Sequence, residues 1–301
     1  MSQHPKEIAQ TGAGYTLITG SSQGIGRAMA EECARRGMPV ILVALDNQHL
    51  HDTAAYLRTT YEVAVHILGI DLTEPAAPRQ VWEWCQQQRF RVVHLINNAG
   101  FGRNGVFEQL PQEEYASMMR LNNHVMVELT HLFLPQLKQQ PQARIMNMSS
   151  IEFVLPNPYK AVYAGTKNFV YGFSLALAEE LRDFGVTVSI LCPGPVLTNA
   201  DGYKRIQSMG KSARLMVLRP EEVAPEAIGG MLGGKRVIIP GRVPAFIAWL
   251  AGLFPRDFKM WILGRMFSKY KEASEVPHEA ASPTDAYVDR GSAKKSSIPH
   301  S

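Results

Sequence analysis

From residue 15 to about residue 240, short uninterrupted apolar runs alternate with segments whose apolar residues recur every three or four positions. Tyr15–Thr19, Val40–Leu45, Val63–Ile70, Val92–Ile96, Arg144–Met148, Thr187–Leu191 and Arg236–Ile239 are the strand-like runs. Helical spacing predicts helices over Gly26–Arg36, where Ile25, Met29 and Cys33 lie four apart, and over His51–Thr60 and Ala77–Arg89. Long helices are predicted over Glu113–Lys138 and Tyr163–Asp183, and a short one over Glu221–Leu232. Strands that read as unbroken Val/Ile/Leu runs are buried on both faces, as in parallel sheets. Regular alternation with helices implies right-handed crossovers and a doubly wound sheet.

Chemistry-bearing residues cluster where these runs end. Thr19-Gly20-Ser21-Ser22-Gln23-Gly24-Ile25-Gly26 closes the first strand and opens the first helix. Glycines there allow a sharp turn and close approach of a pyrophosphate, and the helix N-terminus adds free N–H groups. By itself the turn could be a simple glycine-rich connection; its place in the first βα unit favours nucleotide binding. Asn97-Asn98-Ala99-Gly100 ends the fourth strand, Met148-Ser149-Ser150 the fifth, and Pro193-Gly194-Pro195-Val196-Leu197-Thr198 follows the sixth. Tyr163 and Lys167 are four apart and so share one helix face. A free tyrosine has a pKa of about 10; a neighbouring ammonium is expected to lower it, so that Tyr163 can give or take a proton. The plain alternatives are a surface i,i+4 pair for Tyr163 and Lys167 and a strand-end cap for Ser150.

These motifs, in this order over about residues 15–240, resemble the short-chain dehydrogenase/reductase family: Thr-Gly-x3-Gly-x-Gly, Asn-Asn-Ala-Gly, Ser, Tyr-x3-Lys and Pro-Gly. The resemblance implies an α/β, Rossmann-like, doubly wound parallel sheet in three layers, a nicotinamide cofactor (NAD or NADP), and hydride exchange with an alcohol or carbonyl. It implies that Tyr163 is the acid/base, that Lys167 also binds the nicotinamide ribose, and that Ser150, thirteen residues before Tyr163, holds the substrate oxygen. Ser149 is the structural runner-up. A fourth, proton-relaying asparagine is expected at Asn122, with Asn123 the alternative; His124 reads as a packed or surface residue. Gly20, Ser22, Gly24, Ile25, Gly26, Pro193 and Thr198 would line the cofactor, Thr198 at its carboxamide. Asp71 would contact the adenine and Asn98 its ribose, although Asp71 could equally cap the following helix.

NAD and NADP are told apart at the end of the second strand, where an acid favours the free ribose and an arginine the 2′-phosphate. Ala44 and Leu45 stand there, with Asp46 one step late and Gln23 in the glycine turn. The missing cation favours NAD, while Arg27 could still reach a phosphate.

The net charge of +4 is unevenly spread: −3 over residues 1–202, +9 over 203–271 and −2 over 272–301. Residues 1–13 are expected to be a flexible N-terminus, 14–242 the catalytic domain, 243–271 a basic amphipathic helical extension and 272–301 a disordered tail. Tyr203–Arg219, mixing Lys204, Arg205, Lys211 and Arg214 with apolar residues, reads as a substrate lid. Val243–Leu253 and Phe254–Tyr270 read as two further helices, with Pro255 in the first turn of the second. In the second, Phe258, Trp261, Ile262, Met266 and Tyr270 fall on one side, and Arg256, Lys259, Arg265 and Lys269 largely on the other. Such a helix could pack on the body or a second subunit, rest on a membrane, or wall a long apolar substrate with its charge suited to an acyl carrier or acyl-CoA. Cys33, Cys85 and Cys192 form no paired motif, which argues against a disulfide framework or zinc site and suits a reducing compartment. The polar Met1–Thr11 stretch is not expected to act as a secretory leader, and no run approaches the roughly 18 apolar residues of a membrane span. The sequence thus predicts a cytoplasmic oxidoreductase with peripheral membrane contact as an option. It would be a homodimer or homotetramer through the two long helices, with a small apolar alcohol or carbonyl as substrate and no nucleic-acid partner. A catalytically idle dinucleotide-binding regulator and a membrane-associated scaffold are the competing functions.

Overall fold

The computed structural model describes residues 14–198 and 217–267. The expectations for the N-terminus, for most of the lid and for the tail lie outside them. Seven parallel strands form one sheet in the order β3-β2-β1-β4-β5-β6-β7. They are β1 Tyr15–Thr19, β2 Val40–Ala44, β3 Val65–Gly69, β4 Val92–Asn97, β5 Arg144–Met148, β6 Thr187–Leu191 and β7 Val237–Ile238. Successive side chains point to opposite faces of a strand. Thus Ile18 and Leu42 enter one apolar layer, beneath α1 (Gly24–Arg35), α2 (Gln48–Tyr61) and α7 (Pro220–Leu232). Leu17, Ile41 and Val43 enter the other, beneath α3 (Ala77–Gln87), α5 (Val125–Leu137) and α6 (Ala161–Glu180). The result is the expected three-layer, Rossmann-like sheet. Strand order reverses between β1 and β4, which opens a crevice at their C-terminal ends.

The single long helix expected over 113–138 is broken. α4 (Gln112–Met119) runs into a π-helical turn at Arg120–His124 before α5 begins. The widened turn lets two consecutive residues face inward, Leu121 into the core and Asn122 toward the crevice. α2 begins three residues before its predicted start because the Asn47 side chain accepts the Leu50 amide at 3.1 Å, an N-cap that apolar spacing does not register.

Two helices follow the sheet, α8 (Arg242–Gly252) and α9 (Arg256–Met266). Pro255 occupies the N-cap of α9 rather than its first turn. The faces of α9 are not segregated as the sequence suggests: the Arg265 guanidinium lies over the Trp261 ring, 4.4 Å from its centroid. Residues four apart share a helix face, and Arg265 follows Trp261 by four.

Candidate active site

The glycine turn depends on bare backbone. Gly20 and Gly24 have φ of +65° and +56°, a region glycine enters without steric cost. A Cβ on Gly26 would lie 2.1 Å from the Gly20 carbonyl oxygen, so the third glycine is required by closeness rather than by conformation. Gln23, at the N-cap of α1, makes no side-chain capping bond to the helix's first N–H groups. Thr198 stands over the turn, its Cγ2 3.2 Å from where a Gly24 Cβ would sit. A bare glycine cradle at an uncapped helix N-terminus fits a dinucleotide pyrophosphate. Gly26→Ala is therefore expected to lower nicotinamide nucleotide affinity by at least tenfold, measured by titration of protein fluorescence.

Asn98 braces the same turn: its Nδ2 donates to the carbonyls of Thr19 at 2.9 Å and Gly20 at 3.1 Å. Thr19 returns the contact, its Oγ1 accepting from the Asn98 and Ala99 amides at 3.0 Å each. Asp71 does not cap the next helix. Ala76 sits at that N-cap, and the Asp71 Oδ1 instead accepts from the Thr73 amide at 2.9 Å and hydroxyl at 2.7 Å, an Asx-turn after β3. Asp46 is exposed at the end of β2, with His51 Nε2 at 2.8 Å from its Oδ1. Arg27, with Gly24, Thr198 and Arg219, lines a hollow of about 270 Å³ beside the glycine turn.

β5 and α6 bring together Ser150, Tyr163 and Lys167, the residues expected to handle protons. Ser149 donates from its hydroxyl to the Lys167 carbonyl at 2.8 Å and ties α6 to the strand, the structural part expected of it. Ser150 turns the chain into a short 3-10 helix, Ile151–Phe153, its Oγ accepting the Glu152 amide at 3.3 Å. A cap and a reactive hydroxyl are thus compatible in one residue. Lys167 is buried, donates to the Met148 carbonyl at 2.8 Å, and lies 5.7 Å from the centroid of the Tyr163 ring. Burial lowers its pKa to about 8.

The Tyr163 phenol departs from expectation. Its pKa is raised, chiefly by burial and further by the Glu152 carboxylate, while a hydrogen bond with Ser150 opposes the shift. Spacing alone would let the ammonium dominate; here the cost of burying a phenolate sets the direction.

Asn122, in the π-turn, accepts the Phe101 amide at its Oδ1 and donates from Nδ2 to the Phe101 carbonyl and the Thr166 hydroxyl, each at 3.0 Å. Its Oδ1 would be 2.7 Å from a Cβ on Gly100, and Lys167 Nζ 3.5 Å from the same point. Asn123 faces α6 instead, donating to the Thr166 carbonyl at 2.9 Å. Beside Tyr163 opens a cavity of about 230 Å³, its wall mostly apolar and including Val106, Phe107, Leu110, Tyr115 and Val162.

Several participants escape a sequence reading. Glu152 is buried and binds Lys160 at 2.9 Å and Asn157 at 3.2 Å. Behind the crevice Asn97 donates to Thr130 and Asn147, and Asn147 donates to Ser174, a buried polar ladder across β4, β5 and two helices. Gly102 admits the Tyr163 ring, whose Cδ2 would be 2.8 Å from a Cβ there. Their sequence signal is position alone: Glu152 lies two residues after Ser150, and Asn97 opens the Asn-Asn-Ala-Gly motif without its inward partners being visible.

Fold and site together define an oxidoreductase built on a dinucleotide-binding sheet. The chain belongs to the short chain dehydrogenase family, whose profile matches residues 15–208. It is 31% identical over 232 residues to the 3-oxoacyl-(acyl-carrier-protein) reductase of Escherichia coli (strain K12), covering 77% of this chain and 88% of that one. It is 29% identical to human 17-beta-hydroxysteroid dehydrogenase type 3 over 84% of this chain and 82% of the relative. Against the very-long-chain 3-oxoacyl-CoA reductase of Laccaria bicolor it is 32% identical over 61% of this chain, but spans only 54% of that relative's length. Among solved structures, a short-chain dehydrogenase from Sphingobium yanoikuyae in complex with NADPH superposes with a TM-score of 0.69 at 29% identity, covering 90% of this chain and 99% of that one.

Proposed function

We propose that the protein reduces the carbonyl of an apolar substrate, ketosteroid-like or 3-oxoacyl-like, or oxidises the matching secondary alcohol, with a nicotinamide dinucleotide. The observation that carries this reading is the convergence of Ser150, Tyr163 and Lys167 beside a mostly apolar cavity, one strand end from the glycine turn. The turn Gly20–Gly26 would hold the pyrophosphate, and Asp46, Asp71 and Asn98 would lie toward the adenosine half. Pro193, Thr198, Tyr163 and Lys167 would lie toward the nicotinamide half. When bound, that cofactor supplies or takes up the hydride. Tyr163, kept protonated by burial, gives its proton to the carbonyl oxygen as charge develops there. Ser150, bonded to the phenol, orients the same oxygen. Lys167 holds a positive charge beside the ring, and Asn122 fixes the loop after β4 against α6 near it. A pure dinucleotide-binding regulator would need none of these proton-handling groups.

The named activities of the relatives support the two substrate classes. A panel of ketosteroids, 3-oxoacyl esters, sugars and small aldehydes, assayed with both reduced nucleotides, tests the reading. Turnover is expected with a 3-oxoacyl ester or a ketosteroid; nucleotide binding without turnover of either class would overturn it.

For the nucleotide itself, the end of β2 offers the Asp46 carboxylate and no arginine, an environment that repels a 2′-phosphate. NADH is therefore expected to bind more tightly than NADPH in a fluorescence titration. NADPH binding ten times more tightly would reverse this. The exposed Met119 and Phe169 on α4 and α6 support an oligomer formed through those helices.

A further inference from the structure

We propose that the outer faces of α8 and α9 seat in the headgroup layer of an anionic phospholipid bilayer. α8 is amphipathic in an inverted sense. Its small residues Pro244, Ala248 and Ala251 are buried, while Phe246 and Trp249 are each 59% exposed and Leu253 63%. In α9 the one buried residue is Leu263, and Phe258, Trp261, Ile262 and Met266 face outward. Phe254 in the connection lies 5.2 Å from Phe258, and Phe258 lies 6.1 Å from Trp261, so the aromatic surface continues from the connection into α9. Contiguous exposed apolar surface of this kind marks an interaction site.

Charge chooses the occupant. From residue 242 to 267 the chain carries Arg242, Arg256, Lys259 and Arg265 against one carboxylate, Asp257. A second copy related by a two-fold axis would set this patch against itself, cation against cation, with Asp257 alone to offset them. An anionic lipid surface meets the same charges favourably. The side-chain types agree: tryptophan and phenylalanine suit the boundary between hydrocarbon and water, and Arg265 over Trp261 keeps its charge at headgroup level. Each helix has 11 residues, a length of about 16 Å, well short of the roughly 30 Å hydrocarbon core. Among the described residues no helix is long and apolar enough to cross a membrane. The contact is therefore shallow and in plane.

Flotation of the full-length protein with phosphatidylcholine vesicles containing about 30% phosphatidylglycerol, and with phosphatidylcholine alone, tests this. Binding is expected to the first and to be at least about tenfold weaker to the second. Trp249→Ser with Trp261→Ser is expected to weaken anionic-vesicle binding by at least about tenfold. Arg256→Gln, Lys259→Gln and Arg265→Gln together are expected to do so by a similar factor, with circular dichroism and thermal midpoint verifying the fold of each variant. A wild-type protein that stays unbound to anionic vesicles at low salt overturns the proposal. So does wild-type binding that ignores both sets of substitutions, which would assign it to other residues, 268–301 included. A wild-type dimer that the tryptophan substitutions split would assign the face to a second copy and overturn the proposal as well.

Discussion

Tyr163→Phe is expected to lower turnover by about 10²–10⁴-fold, the usual contribution of a positioned proton donor, while nucleotide affinity stays close to wild type. The substitution keeps the ring that packs against Gly102 and removes only the hydroxyl bonded to Ser150. The glycine turn and its braces at Asn98 and Thr19 involve no atom of Tyr163. Steady-state rates on a substrate found in the panel, set beside a nucleotide titration, separate the two effects. Turnover persisting within tenfold of wild type would show that another group supplies the proton. The raised phenol pKa adds a pH signature. Alcohol oxidation needs the phenolate, so its rate should climb with pH throughout the range below that pKa. Carbonyl reduction uses the phenol already present and should be flat there.

Much of this site is legible in the sequence because its parts sit at strand ends. β1, β5 and β6 begin and end where their apolar runs do, so the motifs that follow them take their expected places in the fold. Sequence reasoning fails where local geometry departs from a regular period. A π-turn has no signature in a pattern read at 3.6 residues per turn, and Arg120–His124 therefore passes as ordinary helix. Asn97 and Asn147 in β4 and β5 satisfy each other in the interior, which spacing alone cannot reveal. Periodicity also finds the two faces of a helix without saying which is inward. Hydrophobicity would turn the Phe246–Trp249 face of α8 toward the core; the structure puts Ala248 and Ala251 there instead. The misjudged direction of the Tyr163 shift has a related origin. Four-residue spacing shows that Lys167 is near the phenol, but says nothing of how far burial would perturb both groups.

Lys167→Met is expected to leave the cofactor-free protein more stable than wild type while impairing turnover and nucleotide binding. The Lys167 side chain is only 4% exposed, and burial takes its pKa from 10.5 to about 8. At 1.36 kcal/mol per pKa unit that shift corresponds to a penalty of about 3 kcal/mol for keeping the ammonium charged in the folded chain. Methionine is comparably long and carries no such penalty. Its cost is the lost hydrogen bond to the Met148 carbonyl, about 1 kcal/mol. A net gain of about 1–3 kcal/mol at pH 7 follows, in line with other replacements of buried charge by apolar side chains. For a chain of this size that is a rise in Tm of about 2–5 °C. The pH dependence fixes the cause. A cationic group whose folded pKa lies below its unfolded value destabilises the fold fully below the folded pKa, and the penalty fades between the two values. The advantage of Lys167→Met should thus be greatest below about pH 8 and shrink steadily toward pH 10.5. Denaturant midpoints of the two proteins across that range measure it. A variant less stable than wild type at pH 7, or an advantage independent of pH, would mean that the ammonium's hydrogen bond to Met148 outweighs its burial. With the predicted gain, Lys167 is a residue held at the site against the stability of the fold. That is expected of a charge needed beside the Tyr163 hydroxyl and unexpected of a helix surface pair.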